Sequence, residues 1–327
     1  MPSIPFILTP AYKDYIWGGD KLKTEYNKST AVTPLAESWE CSIHKDGKSI
    51  VSSGDFTGMT LDEVLKEHPE FIGTHPDKTF GFPLLIKLID ATDNLSIQVH
   101  PDDEYAALNE NGEHGKTEMW YVLDAEENSE IVYGFTHDTN RDEIKKALDK
   151  NSILRYLQKV KVKKGDVFYV PAGTVHAIGK GVVIAEIQED SDLTYRLFDY
   201  DRTNLSGNKR PLHVEKALDV LDYSKSSEPR QPLRILNYKK GYASEFLLRC
   251  KYFEVHRILV NATEMEYKTD ELSFRVLLCT EGEGTLGYAV EEKNETLEIK
   301  KGTCVFIPAD SEEIFISGKM EMLEVRG

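Results

Sequence analysis

Short apolar runs broken by polar residues dominate the chain. Residues 84–89, 95–100, 119–123, 131–135, 167–170, 182–187, 246–258, 274–279 and 305–307 are rich in β-branched or aromatic side chains. Gly, Pro, Asn or Asp clusters bound many of them, which predicts strands. Helical signals are fewer. Thr60 and Glu63 form a capping box ahead of 61–68. Pro101 opens an amphipathic stretch to Asn109, and Asn140 with Glu143 opens a helix running to about Lys150. Residues 152–158 add a further turn or two, and 213–221 are the last candidate. The expectation is an all-β framework carrying helices on one side, inserted mostly before residue 223.

Residues 224–232 are polar, contain two prolines and read as a linker. They divide the chain into 1–232, which holds the helices, and 233–327, which is almost purely strand-like. A repeat crosses this division. Gly165-Asp-Val-Phe-Tyr-Val-Pro171-Ala-Gly173-Thr-Val-His176 echoes Gly302-Thr-Cys-Val-Phe-Ile-Pro308-Ala-Asp310-Ser-Glu-Glu313. Two matching turn–strand–turn units predict a duplicated β domain.

Composition narrows the class. The 327 residues suit one large domain or two ordinary ones, and 40% hydrophobic with 29% charged residues suits a globular protein. No window approaches 18 consecutive apolar residues, and 1–20 lack the basic-then-apolar order of a signal peptide. Cys41, Cys250, Cys279 and Cys304 form no CxxC pair and read as reduced thiols of a cytoplasmic protein. A net charge of −16 argues against nucleic acid or an anionic membrane as partner. An anionic small molecule needs only a local basic pocket. Nothing in the sequence specifies the oligomeric state.

Candidate chemistry starts at residues 95–100. Leu95, Ile97 and Val99 share one strand face, and Ser96, Gln98 and His100 share the other. Neighbours on one face lie about 6.6 Å apart, close enough for two side chains to converge on one ion. His176 follows Pro171-Ala-Gly-Thr-Val, a tight turn that aims its imidazole inward. Glycine, five residues, Pro-x-Gly, two residues, His is the second motif of the cupins. The first cupin motif would be Gln98-Val-His100, with Glu118 eighteen residues on, across a helical insertion. Two imidazoles, a carboxylate and an amide oxygen suit zinc, and also fit iron, manganese or cobalt.

Longer segments make the resemblance specific. Gln98-Val-His100-Pro-Asp-Asp103, Gly115-Lys116-Thr-Glu118-Met-Trp120, Pro171-Ala-Gly-Thr-Val-His176-Ala-Ile-Gly179 and Asp192-Leu-Thr-Tyr-Arg196 occur in that order. Together they resemble type I phosphomannose isomerases, most of all the short bacterial form. Tyr15-Ile-Trp17-Gly-Gly19 and Glu37-Ser-Trp-Glu40 are similar to family segments too. The likeness is strong over residues 5–205 and only in outline beyond. It implies a mainly β fold of two cupin-type jelly-roll barrels, with helices inserted in the N-terminal catalytic part. It also implies one zinc ion per chain, held by Gln98, His100, Glu118 and His176. The neutral amide of Gln98 is the weakest ligand of the four.

The reaction implied interconverts mannose 6-phosphate and fructose 6-phosphate through an enediol. It needs charge stabilisation, a proton shuttle and a grip on phosphate. Arg196 resembles the family's catalytic arginine, and Glu186 a family active-site carboxylate. Apolar neighbours predict a raised pKa for Glu186. Lys116 resembles the family lysine near the substrate. Arg202 stands where the family usually carries a phosphate-binding lysine, and Ser96 can hydrogen-bond phosphate from the ligand face. Fully extended, Arg196 and Arg202 would lie roughly 20 Å apart, so both reach one substrate only if the chain turns back between them.

Gly115-Lys116-Thr117 imitates the end of a P-loop. Glu110 stands where its first glycine belongs, and a strand pattern follows in place of a helix, so the motif fails. His44, His68, His75, His114, His137, His213 and His256 lack partner spacing and read as structural or surface residues. In the second repeat Glu313 replaces the motif histidine, which predicts a support domain without metal. Two other functions are compatible with the motifs. One is another metal-dependent cupin enzyme, such as an iron dioxygenase, which Gln98 and the basic cluster disfavour. The other is a non-catalytic sugar-phosphate sensor.

Overall fold

A computed structural model describes residues 3–76, 81–203, 207–232, 234–290 and 293–327. Three antiparallel sheets carry the chain. A six-stranded sheet has the order Val167–Val170, Glu118–Ala125, Val182–Glu189, Leu84–Ala91, Glu37–Cys41, Ala11–Lys13. A five-stranded sheet has the order Tyr195–Phe198, Ile97–Val99, His176–Ile178, Glu130–Phe135, Leu157–Lys161. The third sheet has nine strands and draws most of them from residues 236–326. None of the three sheets closes on itself among the described residues. The framework is therefore mainly β, as the alternation predicts, but it does not form closed barrels.

Two helices stand where capping signals place them, and a short helix at Lys21–Thr24 had no such signal. Leu61–Glu67 has the full Thr60–Glu63 capping box. Asp103–Asn109 is capped by Asp102, and Arg141–Asp149 by Asn140. Val214–Val220 is the last α-helix among the described residues. Residues 152–158 give only the 3-10 turn Ile153–Arg155 before a strand begins. No helix among the described residues is long and apolar enough to cross a membrane.

The nine-stranded sheet also recruits the start of the chain. Phe6–Thr9 pairs with Cys304–Ile307 on one side and with Ile50–Val51 on the other. One apolar core accordingly joins Phe6, Leu84 and Met119 to Val255, Phe274, Phe306 and Val325. The long run at 246–258 is two strands, Tyr242–Arg249 and Glu254–Tyr267, reversed by a turn in which Cys250 N–H donates to the Phe253 carbonyl at 3.0 Å. No Gly or Pro marks that turn, so the pattern reads through it. Residues 224–232 lie along the N-terminal half. Ser226 N–H donates to Phe135 O at 3.0 Å, and Gln231 N–H to Val167 O at 2.9 Å.

The two repeated units share backbone geometry. Gly165 and Gly302 have φ of 87° and 88°, a left-handed turn that favours glycine. Each leads into a four-residue strand, Val167–Val170 or Cys304–Ile307. Each strand ends in a turn with a second left-handed residue, Gly173 at 85° or Asp310 at 52°.

Candidate metal centre and active site

Strand register assembles the centre. Gln98 lies opposite His176 on one side and opposite Arg196 on the other. Glu118 opens its strand, facing Val170 and Gln188 across the two neighbouring strands. Glu186 sits between Lys87 and Trp120 in the same sheet. Gly173 tightens the approach, because its N–H donates to the His100 carbonyl at 2.9 Å. The apolar faces of these strands bury Ile97 and Val99 in one core and Trp120 and Ile184 in another. The polar faces are thereby held rigidly.

His100, Glu118 and His176 are buried, and each offers a ligand atom within 4.8 Å of the others'. His100 Nε2 is 3.7 Å from Glu118 Oε2, and His176 Nε2 is 3.3 Å from Glu118 Oε1. The second ring nitrogens set the tautomers. His100 Nδ1 donates to Leu193 O and His176 Nδ1 to Thr174 O, both at 2.8 Å. Each Nε2 is left as a lone pair facing the centre, the orientation a metal ligand needs. His100 Nε2 and both Glu118 oxygens are buried without a well-formed hydrogen bond. His100 Nε2 and Glu118 Oε1 face no donor and Glu118 Oε2 has only the Lys116 ammonium at 3.0 Å, a cost that a bound cation would remove, so these residues fit a metal. Gln98 Nε2 lies 3.4 Å from His176 Nε2. A half-turn of the amide would present its oxygen there instead.

A cavity of about 180 Å³ adjoins the centre. Its wall includes Ser96, Gln98, Lys116, Glu186 and Arg196, five of the residues singled out from sequence. Lys116 Nζ lies 3.0 Å from Glu118 Oε2 and 3.4 Å from Glu186 Oε1. Arg196 Nε donates to Ser96 Oγ at 3.2 Å. His213 braces Arg196, receiving its N–H at 3.2 Å while donating its own N–H to the Arg196 carbonyl at 2.8 Å.

Arg202 is placed elsewhere. The chain does turn back, with Tyr200 and Asp201 both at φ of 55°. Yet Arg202 bonds Asp199 Oδ1 at 2.5 Å, Asn94 O at 2.5 Å and Asp93 at 3.3 Å, and it is not among the cavity's lining residues. Arg210 lines the cavity instead.

Several wall residues escaped the sequence reading of roles. Lys87 is buried, with Nζ 3.3 Å from Asp192, 3.5 Å from Glu186 and 3.9 Å from Glu37. A lone lysine inside Leu84–Ala91, a strand buried at every position, was a usable signal. Tyr15, Trp17, Glu37 and Asp192 lie in the quoted segments, but nothing in their spacing assigned them to one cavity. Arg210 carried no signal at all.

Electrostatics separates the two glutamates. Burial pushes Glu118 up to about 7, helped by the charge of Glu186. A bound cation would pull it down again. Burial opposes the charge of Glu186 also, but Lys116 and Lys87 outweigh it and hold that carboxyl below its usual range. The raised value expected from its apolar neighbours is corrected here, because two lysines approach from adjacent strands. Lys116 pays desolvation but is raised by Glu118 and Glu186, so it stays cationic. Burial lowers His176 to about 4, keeping the ring neutral at physiological pH. Burial, then Lys116 and His176, lower His100 as well.

A mainly β framework carrying a buried His–Glu–His set that could hold a metal, beside a charged cavity, is the arrangement of a cupin-type protein. Comparison with known proteins specifies the family. Residues 6–141 match the family described as phosphomannose isomerase type I, catalytic domain, and 243–326 match the mannose-6-phosphate isomerase cupin domain. The mannose-6-phosphate isomerase ManA of Bacillus subtilis is 35% identical over 99% of both chains. The mannose-6-phosphate isomerase of Streptococcus mutans is 36% identical over 98% of this chain and 97% of its own. The crystal structure of the mannose 6-phosphate isomerase from Bacillus subtilis matches with a TM-score of 0.90 at 36% identity, covering 98% of this chain and 99% of that one. The chain belongs to the type I mannose-6-phosphate isomerase family.

Proposed function

We propose that this protein interconverts mannose 6-phosphate and fructose 6-phosphate at the cavity beside His100, Glu118 and His176. The observation that carries this reading is the juxtaposition of the buried His100, Glu118 and His176 acceptors with Lys116, Glu186 and Arg196 at one cavity. A single zinc ion held by His100, Glu118 and His176, with the Gln98 amide oxygen as fourth ligand, would supply Lewis-acid polarisation of the sugar oxygens.

The protein's own groups account for the rest. Glu186 is ionised at neutral pH and serves as the base that takes the C2 proton and returns it at C1. Lys116 is a buried cation within reach of Glu186, and it orients that carboxylate and donates to a sugar oxygen. Arg196 is a permanent cation that stabilises the enediolate. Ser96 and a neighbouring arginine hold the phosphate, the part that a lysine at the Arg202 position plays in the family pattern. The buried wall excludes water, so the enediol is protonated by the protein and not by solvent.

The two halves divide the work. Residues 1–232 form the catalytic cupin unit with its helical insertions. Residues 233–327 form a second cupin-like jelly-roll unit that supports the first without holding metal. The setting is cytoplasmic, the partner is a small sugar phosphate, and neither nucleic acid nor a membrane takes part.

A coupled assay with mannose 6-phosphate tests the proposal. Turnover that a chelator abolishes and zinc restores is the expected result. Tight sugar-phosphate binding without turnover would make the protein a sensor. Oxygen consumption with an iron-loaded centre would make it another cupin enzyme.

A further inference from the structure

We propose that Arg210, rather than Arg202, joins Ser96 in gripping the substrate's phosphate, beside the Arg196 guanidinium that faces the enediolate. The inference rests on the isomerase reading of this cavity and replaces one residue in it.

Arg196 supplies the first reason. Its guanidinium donates to Ser96 Oγ at 3.2 Å and to the Pro211 carbonyl at 3.3 Å. No carboxylate lies within ion-pair distance of it among the described residues, in a chain of net charge −16. An arginine held beside a cavity by a hydroxyl and a carbonyl is poised for an anion. Burial, followed by the charge of Arg210, weakens its hold on its proton. Arg210 is thus close enough for like-charge repulsion, and both cations line the same cavity. Arg210 and the buried hydroxyl of Ser96, crowded by the Arg196 charge, form a wall that an anionic substrate with charge at both ends would relieve.

Asp199 explains how the two arginines are sorted. This buried carboxylate receives Arg210 Nε at 2.8 Å and an Arg210 Nη at 2.6 Å, in bidentate geometry. It receives Arg202 as well. Arg202 spends its remaining donors on Asn94 O, Asp93 and the Asp199 carbonyl, all away from the cavity. A rigid, carboxylate-backed Arg210 can receive phosphate without reorganising, whereas Arg202 would have to leave four acceptors. Asp199 is then a positioning residue that buttresses Arg210 from behind.

The test compares R210A, R210K and R202A with the parent, by kinetics on mannose 6-phosphate and by inhibition with inorganic phosphate. Melting temperature is followed alongside. Losing a charge-assisted grip on phosphate should raise KM and the phosphate inhibition constant together for R210A, by roughly 10- to 100-fold. Its kcat should change far less. R210K should recover part of both losses, because it keeps the charge and loses the fork. R202A should raise both constants much less than R210A does, even if it melts lower. Equal effects of the two alanine variants, or a larger effect of R202A, would overturn the assignment. So would an R210A enzyme whose KM and phosphate inhibition are unchanged. If R210A melts too low to assay, the folded R210K decides: parental constants for it overturn the proposal, and raised ones support it. A parent protein that does not turn over mannose 6-phosphate would instead remove the isomerase reading itself.

Discussion

The unit that ends in His176 and the unit that ends in Glu313 begin alike and finish differently. Both start on a left-handed glycine, pass through a four-residue strand and turn on a second left-handed residue. In the first unit the last side chain is fully buried at the centre, 3.3 Å from Glu118. In the second it is exposed and pairs with Lys268 at 3.1 Å. The same local backbone therefore presents a buried imidazole in one place and a surface charge in the other. What differs is what stands opposite. His176 meets Gln98 and the carboxylate of Glu118, whereas the strand before Glu313 is flanked by Phe6–Thr9 and Arg275–Val290.

That contrast can be broken most sharply at its two ends. His176→Ala should lose bound metal, measured by elemental analysis, and should lower turnover by roughly 10³-fold or more. Glu313→Ala should leave both untouched and shift stability by no more than about 0.5 kcal/mol, since its partner is an exposed lysine. A loss of activity in Glu313→Ala would show that the second unit reaches the chemistry. Arg196→Ala comes next. It should keep its metal while kcat falls roughly 10²- to 10³-fold, the cost of removing a preorganised charge. Full activity in that variant would strip Arg196 of its role.

The glycines sharpen the comparison from the structural side. A Cβ on Gly302 would meet the Tyr26 carbonyl oxygen at 2.0 Å, whereas one on Gly165 would meet nothing within 4 Å. Gly165→Ala should cost about 1–2 kcal/mol, the price of a left-handed alanine. Gly302→Ala should cost about 3 kcal/mol or more, because backbone must also move. Urea midpoints give the ranking. The unit without the histidine is thus the more tightly wedged at its first glycine.

The smallest effect concerns pH. Glu189 is buried, accepts the Thr117 N–H at 2.7 Å and is pushed up to about 8 by burial and by Asp103. An unfolded glutamate titrates near 4.3. Between those values the native state holds the extra proton, so stability falls as pH rises from about 4.5 to about 8. Glu189→Gln removes that titration. Its melting temperature should exceed the parent's by a growing margin across this window, and the margin should vanish near pH 4. A constant margin would place the cost elsewhere.

Capping boxes and alternation were legible because they depend on neighbours in sequence. The Thr60 and Asn140 caps are local hydrogen bonds, and those two helices start where their caps predict, whereas the stretch read from Pro101 starts its helix at Asp103 behind an Asp102 cap that the sequence reading did not name. His100 and His176 were legible because a polar strand face and a proline–glycine turn are themselves short patterns. The same logic failed for Glu186. Its sequence neighbours are apolar, yet its nearest charges, Lys116 and Lys87, come from two other strands.

Sequence alone determined the strand-rich framework, the two capped helix starts, the repeated turn and the spacing of the candidate metal-binding set, all of which rest on periodicity or contact within a few residues. Only the tertiary structure decided that Arg210 lines the cavity while Arg202 does not, that Lys116 and Lys87 hold Glu186 below its usual range, and that Phe6–Thr9 closes against Cys304–Ile307. Those outcomes depend on strand register and on charges brought together from distant parts of the chain. A register is a property of two strands at once, and neither strand's own pattern contains it.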